Sequence, residues 1–149
     1  MASVRLEAVS ARDPMEKLLA KMRVTTLSAM QTIMTNIAAD KAGDLKGKPL
    51  SEWRSRVMKD WDPSRDFRFG LLHAERLTRI LCWEAMGRQL VRNARKSAED
   101  KEGPERREIA ISFLERFEPR ARGTLEEIEA TSGFFQRVMQ GKAPPNEND

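Results

Sequence analysis

The sequence is poor in the side chains that most often carry catalysis or bind metals. It has one cysteine, one histidine and no tyrosine in 149 residues. A single cysteine excludes an internal disulfide framework and fits a reducing compartment. One histidine excludes a histidine-rich zinc site and the paired Glu-x-x-His motifs of di-iron bundles. We therefore favour a non-enzymatic protein without a cofactor, because catalysis would require a partner subunit or a bound group.

Long hydrophobic runs and glycine-rich loops are also missing. No apolar run approaches the about 18 residues that a membrane span requires. The eight glycines are scattered singly, so no loop is suited to cradling phosphates. The N-terminal residues lack the apolar core of a signal peptide. We expect a soluble, cytoplasmic protein that does not bind membranes.

The charge of the chain is modest overall and uneven along its length. The net charge is +4. Residues 64–97 carry eight basic and three acidic side chains, a net of +5, whereas residues 98–149 carry eight basic and twelve acidic ones, a net of −4. Segments of opposite sign favour self-association or a polar partner as much as nucleic acid.

Helical periodicity dominates the rest of the sequence. A first helix is predicted from Asp13, a suitable N-cap, to about Ala39. Its inward stripe follows the 3.6-residue period. The residues of this stripe are Met15, Leu18, Leu19, Met22, Thr26, Met30, Ile33 and Ile37. A short second helix is predicted at 51–61, where two tryptophans and a valine recur at four-residue intervals.

The second half of the chain predicts three more helices. A long central helix spans about 64–98, and a fourth begins at Pro104 and ends at the segment EPRARG. A capping box formed by Thr124 and Glu127 predicts the start of a fifth helix. No segment has the alternating pattern of a strand. The expected fold is all-α, an elongated and dimeric bundle of about five helices.

The helices are expected to form a single domain. This domain covers residues 13–141, between a flexible N-terminus at 1–12 and a disordered tail at 142–149.

The dimer is predicted from a change of face along the central helix. At about 100° per residue, the apolar residues of its two halves lie on nearly opposite sides. The first set is Phe67, Ala74, Leu77, Leu81 and Ala85, and the second is Trp83, Met86, Leu90 and Ala94. A break near Trp83, a monomer that covers different sides of the two halves, or a second copy would each explain the change.

Helix length favours the second copy among these explanations. A helix of about 33 residues spans about 50 Å and should overhang a compact domain of about 38 Å. We therefore predict a homodimer through Trp83, Met86, Leu90 and Ala94.

The same helix carries a ridge of basic side chains. Arg88, Arg92 and Arg95 recur at helical spacing, and Lys96 flanks them. Such a ridge is suited to phosphates or other anions. The preferred interpretation is a scaffold or adaptor that self-associates and binds another protein. The alternative is a nucleic-acid-binding accessory protein that uses this ridge.

Two single residues complete the predictions. Cys82 lacks a neighbouring general base and is interpreted as a small buried hydrophobe. His73 is interpreted as a lone residue at the boundary of the apolar face.

Overall fold

The computed structural model describes residues 13–45 and 67–139 and is helical over most of both ranges. The helices are α1 (Pro14–Leu45), α2 (Arg68–Lys96) and α3 (Gly103–Met139). No strand occurs within these ranges, so the all-α prediction is confirmed for them. The predicted N-terminal segment 1–12, helix 51–61 and tail 142–149 lie outside the described residues.

Helices α1 and α2 run antiparallel. At one end of the bundle, Arg95 Nε of α2 donates a hydrogen bond of 2.6 Å to Glu16 Oε1 of α1. Towards the other end, Gly70 of α2 faces Ile37 of α1 so closely that an added Cβ would lie 3.1 Å from Ile37 Cδ1. These two contacts fix the register of the pair.

Helix α3 runs parallel to α1. Near the start of both helices, Arg107 of α3 donates two hydrogen bonds to the Asp13 carboxylate, which precedes α1. Further along, Ser132 Oγ of α3 donates a hydrogen bond of 3.0 Å to Asn36 Oδ1 of α1. The three helices therefore form an up-down-up bundle.

The buried side of α2 is a single stripe, which corrects the predicted change of face. Its buried residues are Phe69, His73, Ile80, Glu84, Gly87, Val91 and Ala94. At about 100° per residue they fall within a sector of about 80° along the whole helix. The prediction was wrong because His73, Glu84 and Gly87 occupy core positions that a hydrophobic pattern does not count.

The predicted overhang of the long helix is also not found. Helix α2 has 29 residues, and its neighbours α1 and α3 have 32 and 37. At about 1.5 Å per residue, all three helices are about 45–55 Å long. Because both neighbours are at least as long as α2, they cover its buried stripe without a second copy.

Helix α3 is continuous where two helices were predicted. Pro119 lies inside it, and the Thr124 hydroxyl donates a hydrogen bond to the Arg120 carbonyl instead of capping a new helix. Ala121 and Ile128, which follow Pro119, are fully buried in the core. Their burial outweighs the lost backbone hydrogen bond at the proline. The described residues thus form three helices instead of the four predicted there.

The core consists of two clusters along the bundle axis. The first comprises Met15, Leu19, Met22, Val91, Ala94, Ala110 and Leu114. The second comprises Ala29, Ile33, Ile37, Phe69, Ile80, Ala121 and Ile128. Trp83 is partly buried and packs against both clusters, so it links the two halves of the bundle.

Two glycines test the continuity of α3 and the close packing of α2. We expect Gly123→Ala to raise the free energy of unfolding by about 0.5–1 kcal/mol, because alanine is the better helix former. An added Cβ there has no atom within 4 Å.

We expect Gly87→Leu to lower stability by about 1–3 kcal/mol through overpacking. A Cβ at this position would already lie 2.8 Å from Leu114 Cδ2.

Urea denaturation followed by circular dichroism measures both changes. A loss of stability in Gly123→Ala would contradict a helix that continues through this position.

Candidate interaction surface

One flank of α1 faces α2 along a row of residues spaced seven apart. Glu16 and Ile37 contact α2 as described above. Arg23 Nε lies 3.8 Å from Glu84 Oε1 of α2. Met30 occupies the remaining position of this row, seven residues from Arg23 and from Ile37. Seven residues are close to two turns, so Met30 lies on the same flank.

The facing flank of α2 has a matching row. Glu84 and Gly70 both face α1, and Leu77 lies seven residues from each of them. Leu77 is therefore placed opposite Met30. Leu81 follows Leu77 by one turn and extends the apolar row towards the middle of the bundle.

The apolar residues along these two flanks remain largely exposed. Met34, one turn after Met30, is 61% exposed, Met30 is 42% exposed and Leu81 is 38% exposed. Leu77 is half-buried. We call Met30, Met34, Leu77 and Leu81 the apolar patch. The assignment of Met30 to the core was wrong, because it points past the edge of α2.

The predicted basic ridge lies on the same face, nearer to the other end of the bundle. We call Arg88, Arg92, Arg95 and Lys96 the basic strip. Arg88 forms an ion pair with Glu84, and Arg95 forms one with Glu16. Both arginines nevertheless remain more than half exposed.

Two members of the basic strip keep their charge unbalanced. Arg92 and Lys96 are exposed, and neither pairs with a carboxylate of the described residues. The spacing predicts Arg88, Arg92 and Arg95 on one face with Lys96 flanking them, and of these four only Arg92 and Lys96 are unpaired among the described residues.

The four residues predicted for self-association do not form one surface. Ala94 is buried in the first core cluster, and Leu90 packs against that cluster. Trp83 faces Phe117 of α3, with ring centroids 5.5 Å apart. Only Met86 is largely exposed, at 46%. Three of the four residues thus pack inside one chain, and self-association stays a prediction.

A cleft of about 410 Å³ opens at the end of the bundle where α1 begins. Its main charges are paired. The Arg107 guanidinium donates two hydrogen bonds to Asp13, which lowers the pKa of that carboxyl and raises the pKa of Arg107. Asp13 Oδ1 also accepts the Met15 N–H at 2.9 Å and so caps α1. The cleft is explained by capping and helix pairing.

Two single residues lie elsewhere than predicted. His73 is fully buried, not at a boundary, and its two ring nitrogens lack a hydrogen-bond partner among the described residues. Burial, and secondarily the nearby Arg76, lowers the pKa of His73, while Glu127 opposes this shift. Cys82 is exposed instead of buried. Its side chain points away from both neighbouring helices.

Residues 13–45 and 67–139 contain no group of three or more potential metal-ligating side chains. None of the helices described in these ranges is both long and apolar enough to cross a membrane.

Comparisons with known proteins do not assign the chain. No protein-family model matches it, and no curated protein or solved structure matches it either.

The buried His73 predicts a pH dependence of stability. Its pKa in the folded protein lies below the ordinary value of about 6.5, so the unfolded chain binds the proton more readily. The free energy of unfolding is therefore unaffected by His73 above about pH 6.5 and decreases as the pH drops from there towards the folded-state pKa. The loss is at most about 1.4 kcal/mol per pH unit for one proton.

The matched variant is His73→Leu, which removes the only histidine. Urea unfolding at pH 7, 6 and 5.5 should show a smaller loss of stability in this variant than in the wild type. Equal slopes would mean that His73 is protonated as easily in the folded chain as in the unfolded one.

Proposed function

We propose that the chain is a helical scaffold or adaptor that binds another protein through the apolar patch. The observation that carries the proposal is the exposure of Met30, Met34 and Leu81, at 38–61%, on the adjoining flanks of two helices. Isolated apolar side chains on a surface need no explanation, but a contiguous group marks an interaction site.

The chemistry of the apolar patch suits recognition by side-chain packing. Methionine is flexible and polarisable, so Met30 and Met34 adapt to the shape of a partner. Covering apolar surface contributes about 25 cal/mol per Å² removed from water. The shallow furrow between two antiparallel helices is a common seat for a further helix.

A second copy of the chain is the alternative occupant of the apolar patch. The argument from a change of face no longer supports self-association, because α1 and α3 cover the buried stripe of α2. Self-association through Met30, Met34 and Leu81 would still remove the same apolar surface from water. The mass of the protein in solution distinguishes a second copy of the chain from a different protein as the occupant.

The apolar patch is tested by Met34→Lys combined with Leu81→Lys. Both side chains are exposed, so we expect folding to be retained and partner binding to fall by about tenfold or more. The matched control is Ile109→Lys, which changes a side chain of 50% exposure on α3. Immobilised wild type, double variant and control are compared for the proteins they retain from an extract of the source cells.

Light scattering on the same three proteins completes this test. A wild-type mass near 17.1 kDa indicates a monomer. A larger mass that the double variant abolishes would identify a second copy as the occupant. Equal retention of every captured protein by the wild type and the double variant would contradict the proposal.

Nucleic-acid binding is the second candidate function. It is favoured by Arg92 and Lys96, which are exposed and lack a carboxylate partner in the described part of the chain. Two unpaired cations contact few phosphates, so affinity should fall only gently with salt, with a logarithmic slope of about −2.

Titration of duplex DNA and single-stranded RNA at several salt concentrations measures this slope. A slope of about −4 or steeper that Arg92→Glu with Lys96→Glu abolishes would make nucleic acid the better interpretation.

A further inference from the structure

We propose that the occupant of the apolar patch is an amphipathic helix whose carboxylates lie on the basic strip. This inference rests on the proposed function, because it specifies the partner of the same surface. It arises from the juxtaposition of exposed apolar and unpaired basic side chains along one face of α1 and α2.

The length of the face sets the length of the partner. From Leu81 to Arg92 the rise along α2 is about 16 Å, and from Leu81 to Lys96 it is about 22 Å. Leu77 extends the apolar end by about one further turn, and Met34, which is level with His73 in the antiparallel register, extends it by about two turns. The face is then about 35 Å long, so a helix of about 22–24 residues covers the apolar patch and the basic strip together.

The apolar end determines the spacing of the partner's anchors. Met30 and Met34 on α1 and Leu77 and Leu81 on α2 are pairs separated by one turn. A helix seated between them presents apolar residues at intervals of three and four, on a stripe of about two turns. The anchors replace water over the side chains that remain exposed in the free protein.

The basic end determines the partner's charge. Arg88 and Arg95 already pair with Glu84 and Glu16, so their charges are largely balanced. Arg92 and Lys96 are not balanced by any described carboxylate. A partner without acidic groups would leave these cations facing an interface unpaired, which costs binding energy. One or two carboxylates about three turns from the apolar anchors satisfy them.

The same distribution disfavours a polyanion as the occupant. Glu84 and Glu16 pair with Arg88 and Arg95 and oppose phosphate groups that approach these two arginines. A polyanion would also leave Met34 and Leu81 exposed to water. An acidic amphipathic helix is the one ligand chemistry that covers both ends of the face.

The test is a selection from a displayed library of random peptides of about 24 residues on the full wild-type protein. Enriched peptides should carry an apolar stripe at helical spacing and acidic residues towards one end. Their dissociation constants are then measured against variants whose folding is verified by circular dichroism. Arg92→Glu with Lys96→Glu should weaken binding by about tenfold or more.

The matched control for charge is Lys17→Glu with Lys21→Glu. These exposed residues lie on α1 near the same end of the bundle, away from the flank that faces α2. The control makes the same change in net charge and should alter binding by no more than about twofold.

The outcomes separate the partner chemistry from the proposed function. Peptides that require Met34 and Leu81 but bind equally to the Arg92→Glu, Lys96→Glu variant would overturn the acidic helix and leave the apolar patch as a binding site. If no peptide prefers the wild type over the Met34→Lys, Leu81→Lys variant, both proposals are overturned.

Discussion

The fold depends on the close approach of α1 and α3 to the narrow buried stripe of α2. Gly87 is at the centre of this constraint, since an added Cβ would meet Leu114 of α3 and approach Met22 of α1. Because glycine has no side chain, large side chains from both neighbours approach the backbone of α2 at this position, and the packing there is tight. The close approach at Gly87 has the same antiparallel register as the contacts of Arg95 with Glu16 and of Gly70 with Ile37.

The buried stripe of α2 tolerates polar residues in two different ways. Glu84 is buried at 6% exposure, but Arg88 and Arg23 extend from the surface to its carboxylate. Their guanidinium groups remain accessible to water, which lowers the cost of burying the charge. His73 has no such partner among the described residues and is accommodated as a neutral ring against Phe69. The buried charge of Glu84 is thus stabilised by two arginines, whereas the burial of His73 is tolerated because its ring stays neutral.

The sequence predicted the elements better than their limits and faces. Composition and the 3.6-residue period were sufficient for an all-α fold and for helices near α1, α2 and the start of α3. The buried side of α2 was predicted incorrectly because its buried stripe contains a histidine, a glutamate and a glycine. A break near Pro119 was predicted because local helix propensity does not include the burial of Ala121 and Ile128. Their packing partners are distant in the sequence and belong to other helices.

The candidate surface was predictable only in part. The basic strip could be found from the spacing of Arg88, Arg92 and Arg95 alone. The ion pair between Arg88 and Glu84 joins residues four apart on one helix and follows from the same spacing. The pair between Arg95 and Glu16 does not, because Glu16 belongs to another helix and its distance from Arg95 depends on the register. The apolar patch could not be predicted for the same reason. Met30 fits the inward stripe of α1, and only the position of α2 in the bundle shows that Met30 lies outside the core.

The up-down-up order of the described helices places Asp13 and Met139 at opposite ends of the bundle. Asp13, before α1, and Met139, the last residue of α3, are separated by about 50 Å of packed helix. The bundle is therefore a stiff spacer between these two points of the chain. The lateral face of α1 and α2 lies between them, at a fixed position along its length.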